Sequence, residues 1–149
     1  MKILLISDSH GCKKKLLDLL EKEKHDLVFF MGDGLNDISS LGISKARKVC
    51  GNCDFFSNEA IIRYENIYNL KIMITHGHVF KTKHTFSLLT EQAKNDLCDI
   101  VCCGHTHKQI AEYINGVFVV NPGAFKNNEY AILNVKENSE FNVELKEIE

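Results

Sequence analysis

The sequence predicts an α/β fold in one domain, with two β-sheets packed face to face and helices on the outside. Three observations point there. The N-terminal third alternates continuous apolar runs with an amphipathic segment, the pattern of parallel strands joined by a helical crossover. The C-terminal third carries short runs separated by turn residues, the pattern of antiparallel strands. Between and after these runs lie five short clusters of Asp, Asn and His, each placed where a strand would end.

Ile3-Leu4-Leu5-Ile6 is the apolar run of a strand over Lys2 to Ile6, buried on both faces. Asp8-Ser9-His10-Gly11 follows as a loop. Leu16, Leu17, Leu19 and Leu20 recur among Lys and Glu at helical spacing, which predicts an amphipathic helix over Lys13 to Lys24. Leu27-Val28-Phe29-Phe30-Met31 is a second buried strand, ending in Gly-Asp-Gly. These three elements form a βαβ unit with a right-handed crossover. Leu35 to Leu41 reads as a short helix and Lys48-Val49-Cys50 as a brief third strand.

Glu59 to Tyr64 and Leu70 to Thr75 flank Glu65 to Asn69 and predict a hairpin whose second strand delivers His76. Phe86 to Leu97 reads as a helix with Thr85 at its N-cap. Ile100-Val101-Cys102-Cys103 is another buried strand. From there Gln109 to Ile114, Val117 to Val120, Tyr130 to Val135 and Phe141 to Lys146 read as antiparallel strands. Asn115-Gly116 is a two-residue hairpin turn, and Asn121-Pro122-Gly123 reads as a tight turn. No linker, repeat or low-complexity segment interrupts residues 1–149, so they form a single domain.

A chain of 149 residues buries roughly 70% of its unfolded surface and needs no staple. A formal net charge of -2 argues against a surface that coats nucleic acid. It leaves a phosphate substrate open, because bound dications would dominate the local field. Six cysteines are too few for a disulfide scaffold. The first strand ends in Ser-Asp rather than continuing as a signal peptide, and no apolar run approaches the ~20 residues that span a bilayer. The expectation is a reduced, cytoplasmic protein with no membrane association. Cys50-Gly51-Asn52-Cys53 is formally a Cys-x-x-Cys, but a redox motif should open a helix and this one leads toward a strand. His25 and His84 lie outside the clusters.

The clusters are Asp8-Ser9-His10, Gly32-Asp33-Gly34, Gly51-Asn52-Cys53-Asp54, His76-Gly77-His78 and Gly104-His105-Thr106-His107. Asp-x-His on a loop leaving a strand can turn a carboxylate and an imidazole toward one ion. Asp33 is placed as a bridge, since a carboxylate between two dications ~3.5–4 Å apart offsets their repulsion. Asn52 offers an amide oxygen, and His76, His105 and His107 offer imidazoles. This mixture suits Mn, Ni, Zn, Fe or Co rather than Ca, which prefers oxygen alone. Open α/β sheets bind ligands at the carboxyl ends of their strands, where all five clusters fall. Lys81 and Lys83 follow the His-Gly-His cluster, either as a solvated loop or facing an anionic substrate.

In this order the clusters resemble the calcineurin-like metallophosphoesterase superfamily. The short form, with Gly-Asn-Cys-Asp and the later Asn-Pro-Gly, is similar to its small prokaryotic YfcE-type phosphodiesterase branch. The resemblance runs from Asp8 to Gly123 and implies a four-layer αββα sandwich around two divalent ions, with Mn first. Asp8, His10, Asp33 and His107 would hold one ion, and Asp33, Asn52, His76 and His105 the other. It also implies that a bridging hydroxide attacks the phosphorus of a small phosphodiester.

Many superfamily phosphatases carry His at the position of Cys53 as the acid that protonates the leaving group. Cys donates weakly, which favours good leaving groups. Cys53 and His78 are then candidates for catalysis and, with Asn36, for substrate contact. Asp54 is either catalytic or the cap of a turn. Asn36 and Asp37 follow the bridging Asp33, where many members have Asp three residues on. The alternative function is a non-catalytic interaction scaffold resembling the superfamily's retromer subunit. A nuclease reading lacks the extra domains and the basic charge. Self-association is compatible with the small members of the family.

Overall fold

Ile3 and Leu5 point to one side of their strand while Leu4 and Ile6 point to the other, and each pair meets a different core. That alternation sets up the layers. The computed structural model describes residues 1–149. Its strands are β1 (Lys2–Ile6), β2 (Leu27–Phe30), β3 (Ala46–Lys48), β4 (Ile62–Ile67), β5 (Leu70–Thr75), β6 (Ile100–Cys102), β7 (Gln109–Ile114), β8 (Val117–Pro122), β9 (Glu129–Val135) and β10 (Phe141–Glu147). Its α-helices are α1 (Lys13–Lys22), α2 (Leu35–Ser39) and α3 (Ser87–Asn95).

Two five-stranded sheets result, ordered β10-β9-β1-β2-β3 and β4-β5-β6-β8-β7. Both are mixed. β1, β2 and β3 run parallel, as do β5, β6 and β8, while β9, β10, β4 and β7 pair antiparallel with their neighbours. The sheets face each other through Ile3, Leu5, Phe29 and Met31 on one side and Ile72, Ile74, Ile100, Cys102 and Val120 on the other. Leu16 and Leu19 of α1 and Leu35 and Ile38 of α2 cover the outer face of the first sheet. Leu89 and Ala93 of α3 cover the second. This is the expected four-layer sandwich. Each buried Leu or Ile contributes about 1.5–3 kcal/mol. Consecutive Cys102 and Cys103 divide between the middle and outer cores, which makes them small core residues.

Several boundaries differ from the sequence expectation. The first helix stops at Lys22 instead of Lys24, because Glu23 turns extended at φ -93 and ψ 109. The second ends at Ser39 rather than Leu41. The third strand sits two residues earlier than read, at Ala46–Lys48, because parallel pairing with β2 sets its register at Val28↔Ala46. The hairpin closes on the two residues Tyr68 and Asn69, since β4 continues through Ile67 opposite Leu70. Thr85 lies one residue outside the N-cap position, where its Oγ1 accepts from the Ser87 N–H at 3.3 Å. Asn121 and Pro122 are the end of β8 rather than a turn, and the bend falls at Gly123, φ +83. The C-terminal strands are not one antiparallel run: β8 lies parallel to β6, and β9 crosses to pair with β1. No helix is long and apolar enough to cross a membrane.

Candidate metal centre

β1, β2 and β3 of one sheet and β5 and β6 of the other deliver the five clusters to the same edge of the sandwich. The loops interlock through their backbones. The Asp8 N–H donates to the Gly32 carbonyl at 2.9 Å, the His10 N–H to the Asp33 carbonyl at 3.2 Å and the Gly104 N–H to the His76 carbonyl at 3.0 Å. The fit is tight enough that a Cβ on Gly32 would sit 2.6 Å from the Gly51 nitrogen.

Five non-glycine residues of the clusters hold positive φ: Asp8 (+56), His10 (+42), Asp33 (+57), His105 (+68) and His107 (+60). Each left-handed non-glycine residue costs about 1 kcal/mol or more, and such strain concentrates at functional sites. The local geometry therefore serves the side chains rather than the fold.

Asp8 is wholly buried and Asp33 is 3% exposed. Each commits one oxygen to the protein and aims the other at imidazoles. Asp8 Oδ2 accepts from the Ser7 hydroxyl at 2.6 Å and the His105 N–H at 3.1 Å. Its Oδ1 lies 3.0 Å from His107 Nε2, 3.6 Å from His10 Nε2 and 3.9 Å from His76 Nε2. Asp33 Oδ1 accepts from the Cys53 N–H at 2.8 Å. Its Oδ2 lies 3.2 Å from His76 Nε2 and 3.9 Å from His10 Nε2.

His76 supplies the test of whether these residues fit a metal. Its ring is fully buried, and its Nδ1 donates to the Met31 carbonyl at 2.6 Å. That leaves Nε2 as a lone pair, and this buried nitrogen has no hydrogen-bond partner. It faces two carboxylate oxygens, which are acceptors too. These acceptors need a positive charge among them, from a proton on Nε2 or from a metal ion. A ring nitrogen tied to a backbone carbonyl is the usual way a metal-binding imidazole is oriented. The residues fit a divalent metal.

The titration behaviour of the ion-free site agrees. Burial works against protonation of His76, yet Asp33 and Asp8 together raise its pKa, the direction in which a positive charge between the carboxylates is favoured. Burial would raise Asp33, but His76 and the Cys53 N–H hold its carboxyl well below the usual range. Burial, His76 and Lys83 push His105 down to about 4. Burial and His76 lower His78 as well.

The ligand atoms of Asp8, His10 and His107 lie within 4.8 Å of one another, as do those of Asp8, Asp33 and His76 and those of His10, Asp33 and Cys53. His105 stands beside this group, its ring 5.0 Å from that of His76. His78 follows, 5.5 Å from His76 and 6.2 Å from His105, with a buried Nδ1 that has no partner. Asn52 is exposed, its amide donating to the Cys53 thiol at 3.4 Å. Asn36 lies on an open cleft that also reaches His10, Asp33 and Cys53.

Asp54 has no capacity left for chemistry. Its oxygens accept from the N–H groups of Asp33 (2.7 Å), Gly51 (2.8 Å), Gly34 (2.8 Å) and Leu35 (3.0 Å). It clamps the Gly-Asp-Gly loop and the start of α2, the capping role that was the alternative to catalysis.

Three positioning residues escape the sequence reading. Ser7 orients Asp8. Asp37 accepts from the Ser9 hydroxyl at 2.5 Å and the Gly11 N–H at 2.9 Å, fixing the first loop. Buried Asn121 donates to the Gly104 carbonyl and to Thr106 Oγ1, both at 2.9 Å, and fixes the last. An Asp one position from a motif site was the only signal for Asp37. Asn121 was marked only as part of Asn-Pro-Gly, and Ser7 carried no signal.

The chain matches the calcineurin-like phosphoesterase superfamily domain over residues 1–138. It is 30% identical over 147 residues to the probable metallophosphoesterase YsnB of Bacillus subtilis, covering 91% of this chain and 85% of that protein. It is 29% identical over 148 residues to the phosphodiesterase MJ0936 of Methanocaldococcus jannaschii, covering 83% of each. A crystal structure of a predicted phosphoesterase from Streptococcus pneumoniae superposes with a TM-score of 0.86 at 27% identity, covering 98% of this chain and 88% of that one. The order of the clusters, the two mixed sheets and these likenesses agree: the chain belongs to the calcineurin-like phosphoesterase superfamily.

Proposed function

We propose that this chain is a divalent-metal-dependent phosphodiesterase with a two-metal centre. The observation that carries this reading is the buried, donor-free meeting of His76 Nε2 with the carboxylates of Asp8 and Asp33. Asp8, His10 and His107, with Asp33, would hold one ion. Asp33 and His76, with His105 and Asn52, would hold the other. Once bound, the ions supply Lewis-acid charge to the phosphoryl oxygens and lower the pKa of the water that attacks phosphorus.

The protein's own residues prepare this. The Met31 carbonyl holds His76 in one tautomer, Ser7 and the His105 N–H orient Asp8, and the Cys53 N–H orients Asp33. His78 lies beside His76 and His105, which supports a contact with a phosphate oxygen. Cys53 and Asn36 line the open side, where the ester group departs. The phosphodiester preference is supported by the likeness to a protein named phosphodiesterase and by the weak donor at Cys53, which suits good leaving groups. Mn is the first metal to try, with Ni, Zn, Fe and Co next. The natural substrate is then a small phosphodiester. Six free thiols are in keeping with a cytoplasmic protein.

The test is hydrolysis of bis(p-nitrophenyl) phosphate by chelator-stripped protein titrated with Mn, Ni, Zn and Mg, with p-nitrophenyl phosphate alongside. Metal-restored activity that is stronger on the diester is the expected result. A folded protein that binds two equivalents of metal and turns over neither ester would instead be a scaffold.

A further inference from the structure

Two clefts of opposite character are lined by residues of the candidate metal centre or by their chain neighbours. The cleft on the Asn36 and Cys53 side is lined by four carboxylates, from Asp33, Asp37, Asp54 and Glu59. The other, a cavity of about 590 Å³, lies between the loop leading into α3 and the start of β7, and no Asp or Glu lines it. Lys83 and His84 come from the loop and Lys108 from the β7 side. Its floor reaches Thr106, which lies between His105 and His107.

Neither Lys83 nor Lys108 forms an ion pair with a carboxylate of the protein. Both are exposed lysines that line this one cavity, where an anion could meet both. Thr106 Oγ1 already accepts from Asn121 at 2.9 Å and from the Lys108 N–H at 3.3 Å, which leaves its own proton free to donate. Phe86 and Ile110 add an apolar wall. A cavity of this size accommodates a sugar with its phosphate.

Building on the phosphodiesterase reading, we propose that this cavity is a subsite for a second phosphate, so that the substrate is a phosphodiester one arm of which ends in a phosphate monoester. Lys83, Lys108 and the Thr106 hydroxyl bind the terminal phosphate while the diester lies over the metal centre. The enzyme then acts on the phosphate-bearing ends of short nucleotide-like diesters in preference to diesters with uncharged arms.

A matched pair of chromogenic esters tests this: thymidine 5′-(p-nitrophenyl phosphate) and the same ester carrying a 3′-phosphate. Both release p-nitrophenol, so the ratio of their kcat/KM values isolates the added phosphate. On Mn-loaded protein the 3′-phosphate should raise kcat/KM about tenfold at low salt, and the gain should shrink as salt screens the two ammoniums. In K83Q/K108Q the ratio should fall toward one. A ratio of one in the wild type, or one unchanged in the double variant, overturns the subsite and leaves the phosphodiesterase reading standing. If neither ester turns over, the phosphodiesterase reading fails and calorimetric binding of thymidine 3′,5′-bisphosphate decides the subsite. Binding that weakens about tenfold in K83Q/K108Q supports it, and absence of binding overturns it.

Discussion

The Met31 carbonyl accepts the Nδ1–H of His76 at 2.6 Å, and this one bond determines what the site lacks. It turns Nε2 into a lone pair among carboxylate oxygens, in a place water does not reach. Without a metal, a proton on His76 is what offsets the two carboxylates, and a divalent ion would offset them more fully. Chelator-stripped protein should therefore melt lower than the Mn-loaded form. Metal at a hundredfold excess over Kd stabilises by about 2.7 kcal/mol, or roughly 5–10 °C in Tm for a domain of this size. Differential scanning calorimetry with and without Mn checks this, and no shift would remove the basis of the metal assignment.

Asp33, like Asp8, is shared by two of the three close groups. Asp33→Asn should lose metal loading and lower activity by at least about a hundredfold, beyond what disturbing an outer partner of a ligand does. Metal content by mass spectrometry and the diester assay read the two effects. A fully active variant would remove Asp33 from the bridging position.

Asp54 takes four backbone N–H groups and touches nothing that reacts. Asp54→Ala leaves these donors unmatched and should destabilise the protein by about 2–4 kcal/mol. Activity should fall through misplacement of Asp33, and Asp54→Asn should rescue part of both. Thermal melts of the two variants separate positioning from chemistry. A stable but inactive Asp54→Ala protein would return Asp54 to catalysis.

Glu23 sits 2.6 Å from Lys2 Nζ, and this bond, with a smaller one from the Tyr130 hydroxyl, lowers its pKa from 4.5. A depressed carboxyl contributes stability that is present above its unfolded pKa and lost as pH falls through the lower folded value. Stability should therefore decline below about pH 4.5, and Glu23→Gln should flatten the part of that decline that Glu23 causes. Tm measured from pH 3 to 7 on both proteins checks the sign. A steeper acid loss in Glu23→Gln would contradict it.

Residue order alone determined which groups could bind a metal and which end of the sheets they would occupy. Apolar runs mark strands, and the Asp, Asn and His clusters follow them within a few residues, so both are local facts. The layers on both sides of the first sheet were legible for the same reason, because the continuous apolar run Ile3-Leu4-Leu5-Ile6 marks a strand buried on both faces. Only the tertiary structure decided which strands share a sheet. β8 joins β6 in parallel and β9 leaves for β1, choices set by long-range pairing that no neighbouring residue encodes. It also decided the parts played by individual polar side chains. Asp54 reaches back to Asp33, Asp37 to Ser9 and Asn121 to Gly104, each across a gap that folding alone closes. The tautomer of His76 depends likewise on Met31, a residue whose side chain is apolar and whose sequence position gives no hint of its carbonyl. Local pattern reports periodicity and ligand type, whereas orientation, protonation and partner come from contacts made when distant loops meet.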